Sequence, residues 1–113
     1  MLFLVTGRMK SSGTAGSPSP ADLVRAGLGT LETLVAMEHR GVVRGGGIAA
    51  GGSAIAFILE VTSGDEAHDT IVRLPSYAQA DWTVTPLVSF ERDLAVTREA
   101  AHRLGIADRE TTK

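Results

Sequence analysis

The sequence contains no cysteine and few aromatic residues, with one tryptophan, one tyrosine and three phenylalanines among 113 residues. Without cysteine the chain cannot form a disulfide bond, a thiolate nucleophile or a cysteine-ligated zinc site. The cytoplasm is the simplest compartment for such a chain. A hydrophobic share of 43% is enough for one core, so we expect a single domain that needs no disulfide and no metal.

There is also no marked excess of either charge and no long apolar run. The formal net charge is −2 with arginines and acids interspersed, so we expect no binding to nucleic acid or to a membrane surface. The apolar residues 1–5 lack a preceding basic region and meet Thr6 and Gly7 too soon for a signal peptide or a membrane span. We therefore expect a small molecule or another protein as the partner.

The common catalytic signatures are absent. The sequence has no G-x-x-x-x-G-K-[ST], H-E-x-x-H or G-x-S-x-G, and its three histidines, at 39, 68 and 102, are too scattered to indicate a zinc site. Residues 45–50 fit G-x-G-x-x-A, but they run into a strand where a dinucleotide site needs a helix. The absence of these motifs excludes the interpretation of the chain as an NTPase, a zinc protease or an α/β-hydrolase.

Hydrophobic periodicity divides the chain into alternating strands and helices. The predicted strands are 1–9, 42–50, 53–62 and 81–90, and the predicted helices are 20–40, 63–74 and 91–104. We expect 10–20, which is rich in small and polar residues, to be a mobile loop and 106–113 to be a flexible tail. The domain would then span 1–105.

Several local signals support these elements. The first helix is predicted to bury a stripe at spacings of four, three and four residues, made by Val24, Leu28, Leu31 and Val35. Gly41 suits a left-handed helix cap, and Ser63 with Glu66 forms a capping box for the second helix. Residues 51–52 are predicted to make a two-residue hairpin turn.

The order β-α-β-β-α-β is the ferredoxin-like pattern of an α+β fold, with both helices on one face of a four-stranded antiparallel sheet and an extra C-terminal helix after it. Pro86 places the last strand at an edge or a bulge. In 2–5 and 55–59 both alternate sets of residues are apolar. We therefore expect the uncovered sheet face to be buried against a second copy of the chain.

Three segments resemble the muconolactone isomerase family: residues 1–5, residues 67–75 (AHDTIVRLP) and residues 81–87. The likeness runs from Met1 to about Phe90. It implies a homodimeric α+β barrel, often built into larger rings, with a pocket between the sheet and its helices. It also implies proton transfer that moves a double bond within a small unsaturated lactone of aromatic catabolism, without a metal or an organic cofactor.

Such a proton shift needs a base beside a carbonyl and a cationic or hydrogen-bonding group for the dienolate. Glu32 matches an acidic position of the family's first helix and is the predicted base, the alternative being a solvated helix residue. Arg44 matches a basic position and could bind a carboxylate in a bidentate fork, or simply face water at a strand end. His68 lies in the shared motif and is the third catalytic candidate, with packing and capping as its alternative.

Predicted substrate-binding residues are Gly27, Gly29, His39, Tyr77 and Trp82. His39 follows Glu32 by two helical turns and could share its cleft or merely favour the helix dipole. Tyr77 matches an aromatic position and could close a pocket or only pack. Glycine costs up to ~1 kcal/mol inside a helix, so Gly27 and Gly29 need a compensating close approach or room for a ligand.

These glycines replace a charged cluster of the family's first helix. We therefore predict a larger, less polar pocket, in a cofactor-independent isomerase or cyclase for a small unsaturated lactone or a bulkier aromatic or polyketide-derived substrate. One alternative is a non-catalytic ligand-binding or interaction subunit on the same dimeric scaffold. Another is a cofactorless oxygenase of similar shape.

Overall fold

The computed structural model describes residues 1–10 and 19–106. Its elements are β1 (Leu2–Met9), α1 (Pro20–His39), β2 (Val43–Ile48), β3 (Ala54–Glu60), α2 (Gly64–Val72), a 3-10 turn (Tyr77–Gln79), β4 (Ala80–Leu87) and α3 (Phe90–Arg103). Most of the predicted 10–20 loop and of the 106–113 tail lies outside the described residues.

The four strands form one antiparallel sheet in the order β2-β3-β1-β4. This order, with the element sequence βαββαβ, is the predicted ferredoxin-like α+β fold. On the central strand β1, Leu4 lies between Ile58 of β3 and Thr85 of β4. Pro86 lies on the edge strand β4, as predicted for a residue without a backbone N–H.

One face of the sheet carries the hydrophobic core. The core is formed by Phe3, Val5, Val43, Phe57, Leu59 and Val61 of the sheet side with Leu34, Met37, Ala67, Ile71 and Leu74 of the helix side. Side chains alternate along a strand, so the neighbours of these strand residues point to the other face. Both α1 and α2 therefore lie on the core face.

We call the other face the open face. Its centre carries Leu2, Leu4, Thr6, Ala56, Ile58, Thr83, Thr85 and Leu87, none of which is buried, and its ends carry the charged Arg8, Glu60 and Asp81. Helix α3 has no buried residue, and Phe90 at its start is 94% exposed. Within residues 1–10 and 19–106, the chain thus leaves the apolar side chains at the centre of this sheet face in contact with water.

The predicted apolar stripe of α1 is not its buried side. The four stripe residues are about half exposed or more, at 70% for Val24, 58% for Leu28, 46% for Leu31 and 50% for Val35. The buried residues of α1 are Thr30, Leu34 and Met37. The prediction was wrong because α1 has two sets of residues at helical spacing. The set that packs on the sheet begins with the polar Thr30, so its residues did not form a continuous apolar stripe in the sequence.

The hairpin between β2 and β3 also differs from the prediction. The strands end at a five-residue loop, 49–53, which is closed by the N–H of Ala49 donating to the carbonyl oxygen of Ala54 at 2.8 Å. Gly51 and Gly52 both adopt positive φ, at 101° and 80°. The glycines therefore turn the chain as expected, but the prediction of a two-residue turn was wrong.

Both predicted helix caps are present. After α1, Gly41 has a φ of 78°, and the next N–H, from Val42, donates to the carbonyl oxygen of Met37 at 2.9 Å. Before α2, the Ser63 hydroxyl accepts the N–H of Glu66 at 3.2 Å. The Glu66 carboxylate in turn accepts the Thr62 N–H at 3.0 Å and the Thr62 hydroxyl.

We expect Glu66 to make stability depend on pH in the acid range. The Thr62 hydroxyl, and then the Thr62 N–H, lower the pKa of Glu66 below its ordinary 4.5 in the folded chain. A carboxyl with a lowered folded pKa stabilises the fold above its unfolded pKa, and the stabilisation disappears as pH falls through the folded value. The Tm advantage of the wild type over Glu66→Gln should therefore shrink below pH 4.5. Thermal melts from neutral pH to acid unfolding measure it, and a constant difference would refute it.

Candidate functional site

A pocket of 260 Å³ lies between α1 and the core face of the sheet. We call it the α1 pocket; its lining is Gly7, Met9, Gly27, Thr30, Leu31, Ile48, Gly52, Ala54, Ile55, Ser76, Ala80 and Trp82. None of these lining residues is ionisable. The pocket is therefore an apolar space whose only side-chain hydroxyls belong to Thr30 and Ser76.

Gly27 and Gly29 occur in α1 for different structural reasons. A Cβ on Gly27 would meet no atom within 4 Å, and Gly27 lines the α1 pocket. A Cβ on Gly29 would lie 3.0 Å from Cγ of Pro75, so this glycine allows the chain after α2 to approach the helix. The first glycine leaves room and the second permits a close contact, which are the two compensations that the sequence indicated.

Trp82 forms one wall of the α1 pocket. Its indole N–H donates to the backbone carbonyl oxygen of Tyr77 at 3.1 Å. Its ring lies over Gly7, where a Cβ would come within 2.6 Å of the Trp82 Cζ3 atom. Tyr77 itself is 41% exposed and is not among the residues that line the pocket. Because Gly7 has no side chain, the Trp82 indole can lie against β1.

A pair of hydroxyls joins α1 to the segment after α2. The Thr30 hydroxyl donates to Oγ of Ser76 at 2.8 Å, and Oγ1 of Thr30 accepts the Ser76 N–H at 3.0 Å. Thr30 is buried, at 4% exposure. Sequence reasoning missed both residues, although the spacing of Thr30 with Leu34 and Met37 at four and seven residues was a signal that Thr30 faces the core.

Glu32 and His39 lie together on the solvent side of α1. They lie on a shallow, open surface with Leu31, Val35 and Ala36, which we call the outer groove. Their spacing of two turns thus does put them in one groove, but both are exposed and neither lines the α1 pocket. Leu31 borders both spaces.

Arg44 and His68 lie elsewhere. Nη1 of Arg44 is 2.6 Å from Oε1 of Glu60, and both side chains are exposed. Glu60 alternates with the buried Leu59, so this ion pair is on the open-face side of the sheet. His68 is exposed on α2. The three predicted catalytic residues therefore do not meet within one chain, and their roles stay predictions.

A wider concavity of 600 Å³ lies at one end of the sheet. Its polar residues include Arg8 and Asp81, which are paired across β1 and β4, and Thr83. Charged groups thus line this concavity, while the α1 pocket has none among its lining residues.

Among residues 1–10 and 19–106, no cluster of three or more His, Asp or Glu side chains is placed to hold a metal ion. In the same part of the chain, no helix has the length and apolar character needed to cross a membrane.

The antiparallel sheet, the two helices on its core face and the pocket under α1 define a ferredoxin-like α+β protein. Among solved structures, the chain is similar to muconolactone isomerase, whose crystal structure was determined at 3.3 Å resolution. The TM-score is 0.66 and the identity 26%, over 79% of this chain and 90% of that one. No protein-family model and no curated protein sequence matches. The structural similarity supports the family relationship that the sequence indicated.

Proposed function

We propose that the protein is a cofactor-independent isomerase or cyclase that acts by proton transfer on a small unsaturated lactone or a bulkier aromatic or polyketide-derived substrate. The observation that carries this proposal is the similarity to muconolactone isomerase in a chain with an apolar pocket between α1 and the sheet. Removing a proton beside a carbonyl produces a dienolate, and a positioned hydrogen-bond donor stabilises the charge that develops on its oxygen.

Glu32 is the proposed base and Arg44 its electrostatic partner. In one chain Glu32 lies in the outer groove, whereas Arg44 is paired with Glu60 on the other side of the sheet. The two can act on one substrate only if different copies of the chain supply them. The proposed active form is therefore a homo-oligomer.

A non-catalytic ligand-binding subunit is the second candidate. It is favoured by one observation, the lack of any ionisable side chain in the lining of the α1 pocket. Such a pocket can bind an apolar molecule, but it cannot move a proton by itself.

Replacing Glu32 distinguishes the two candidates. A suitable probe is α-angelica lactone, in which a proton shift brings the double bond into conjugation with the carbonyl. Turnover is followed by ultraviolet absorption and by deuterium uptake from D₂O. Loss of a general base should lower the rate by about 100-fold or more in Glu32→Gln, with binding retained. The control Glu91→Gln, on the exposed start of α3, should keep the wild-type rate. Equal rates for both variants would exclude Glu32 as the base, and a wild type no faster than the uncatalysed reaction would favour the binding subunit.

A further inference from the structure

The α1 pocket has no charged partner for a charged ligand. Its lining includes no Arg, Lys, His, Asp or Glu. Arg8 instead lines the wide concavity, and Arg44 pairs with Glu60. A carboxylate brought into this space would lose its hydration without gaining a cation, which strongly disfavours its binding.

The pocket does offer one unused hydrogen-bond donor. In the hydroxyl pair, the proton of Thr30 is directed to Oγ of Ser76, and Oγ1 of Thr30 accepts the Ser76 N–H. One hydrogen bond joins the two side-chain oxygens and uses one of the two hydroxyl protons, so the other proton has no acceptor among the described residues. We assign that proton to Ser76, which is partly exposed, because Thr30 is buried. Because Oγ of Ser76 already accepts a hydrogen bond, its own proton becomes a better donor. The buried Thr30 holds the pair in place.

We infer that the α1 pocket selects uncharged carbonyl compounds, with the Ser76 hydroxyl donating to the carbonyl oxygen. A neutral carbonyl is an acceptor without charge, so it matches a single donor in apolar surroundings. The pocket volume of 260 Å³ is near the lower end of the ~300–1,000 Å³ range of ligand pockets, which suits a molecule of one or two rings. The Trp82 indole provides a flat surface for such a ring.

This inference names the substrate class of the proposed enzyme and rests on that proposal in taking the α1 pocket as the substrate site. Because the lining of the α1 pocket includes no base, Ser76 would position the carbonyl and another copy of the chain would have to supply the base. Muconolactone-type acids, which carry a carboxylate, would then be poor ligands of this chain.

Calorimetry with two matched probes tests the inference. Coumarin is a neutral bicyclic lactone, and coumarin-3-carboxylate adds one negative charge to the same rings. The wild type should bind coumarin at least ~100-fold more tightly than the carboxylate. Ser76→Ala should weaken coumarin binding about tenfold, whereas Thr97→Ala, which removes an exposed hydroxyl on α3, should leave it unchanged.

Nuclear magnetic resonance locates the binding, because the chain has one tryptophan and Trp82 lines the pocket. Coumarin should shift the single indole N–H signal, and the same signal in Ser76→Ala shows that the variant is folded. Equal binding of both probes, no binding of coumarin, an unmoved indole signal, or wild-type affinity in folded Ser76→Ala would each overturn the inference. Coumarin binding without turnover of any lactone would count against the proposed function alone.

Discussion

Replacing Ile58 by lysine is expected to convert the assembled protein to monomers. Ile58 lies at the centre of the open face, beside its strand partner Leu4. In the proposed homo-oligomer a second copy covers this face, and the new ammonium group would be buried there without a partner. Such burial costs about 3 kcal/mol or more, which raises the dissociation constant at least ~100-fold.

The control for this variant puts the same charge on another exposed apolar residue. Val24, on α1, is 70% exposed and lies outside the sheet. Sedimentation equilibrium should find the Val24→Lys protein with the mass of the wild type and the Ile58→Lys protein as a monomer. Dissociation of Val24→Lys with an intact Ile58→Lys assembly would instead place the interface on the outer stripe of α1.

Adding a single methyl group at Gly46 is expected to destabilise the fold strongly. The register of β2 shifts between Val43 and Gly45, and Gly46 follows this irregularity with a φ of 146°. A Cβ there would lie 2.6 Å from Cα of Phe57 and would also strike the carbonyl oxygen of Ala56. Because both obstacles are backbone or core atoms, the clash cannot be relieved by a rotamer change.

The neighbouring glycine is a matched control for Gly46→Ala. A Cβ on Gly47 would meet no atom within 4 Å, and this residue has no positive φ. We expect Gly46→Ala to lose roughly 3 kcal/mol of unfolding free energy, and Gly47→Ala to change it by about 0.5 kcal/mol or less. Urea unfolding of the two variants and the wild type measures both. Equal stability of the two variants would show that β2 does not pack against β3 in this register.

The fold could be predicted from the sequence because its determinants are local. The apolar runs of β1 and β3 and the caps at Gly41 and Ser63 each depend on residues a few positions apart. The order of these elements then leaves few ways to connect them, and the ferredoxin-like sheet is one of them. Pro86 could be placed at an edge for the same kind of reason.

The site was harder to predict because it depends on contacts between distant parts of the chain. Thr30 and Ser76 are separated by 46 residues, and neither belongs to a sequence motif with a known function. Arg44 meets Glu60 across a strand pair whose irregular register the sequence did not reveal. By contrast, the positions of Glu32 and His39 on one groove followed from helical spacing alone.

The buried side of α1 could not be predicted from periodicity. Hydrophobic periodicity identifies apolar stripes on a helix, but it does not determine which of two stripes faces the sheet. Here the stripe that contains Thr30 is buried, because Ser76 satisfies the Thr30 hydroxyl. A polar residue inside a helical stripe thus excludes burial only if no partner is available, and that partner is known only from the structure.

The central claim is that a second copy covers the open face, since the burial of its apolar residues depends on it. Sedimentation equilibrium of the wild type at micromolar concentration tests it directly. We predict a particle of at least twice the 11.8 kDa chain mass. A single species of 11.8 kDa at every concentration would contradict the claim.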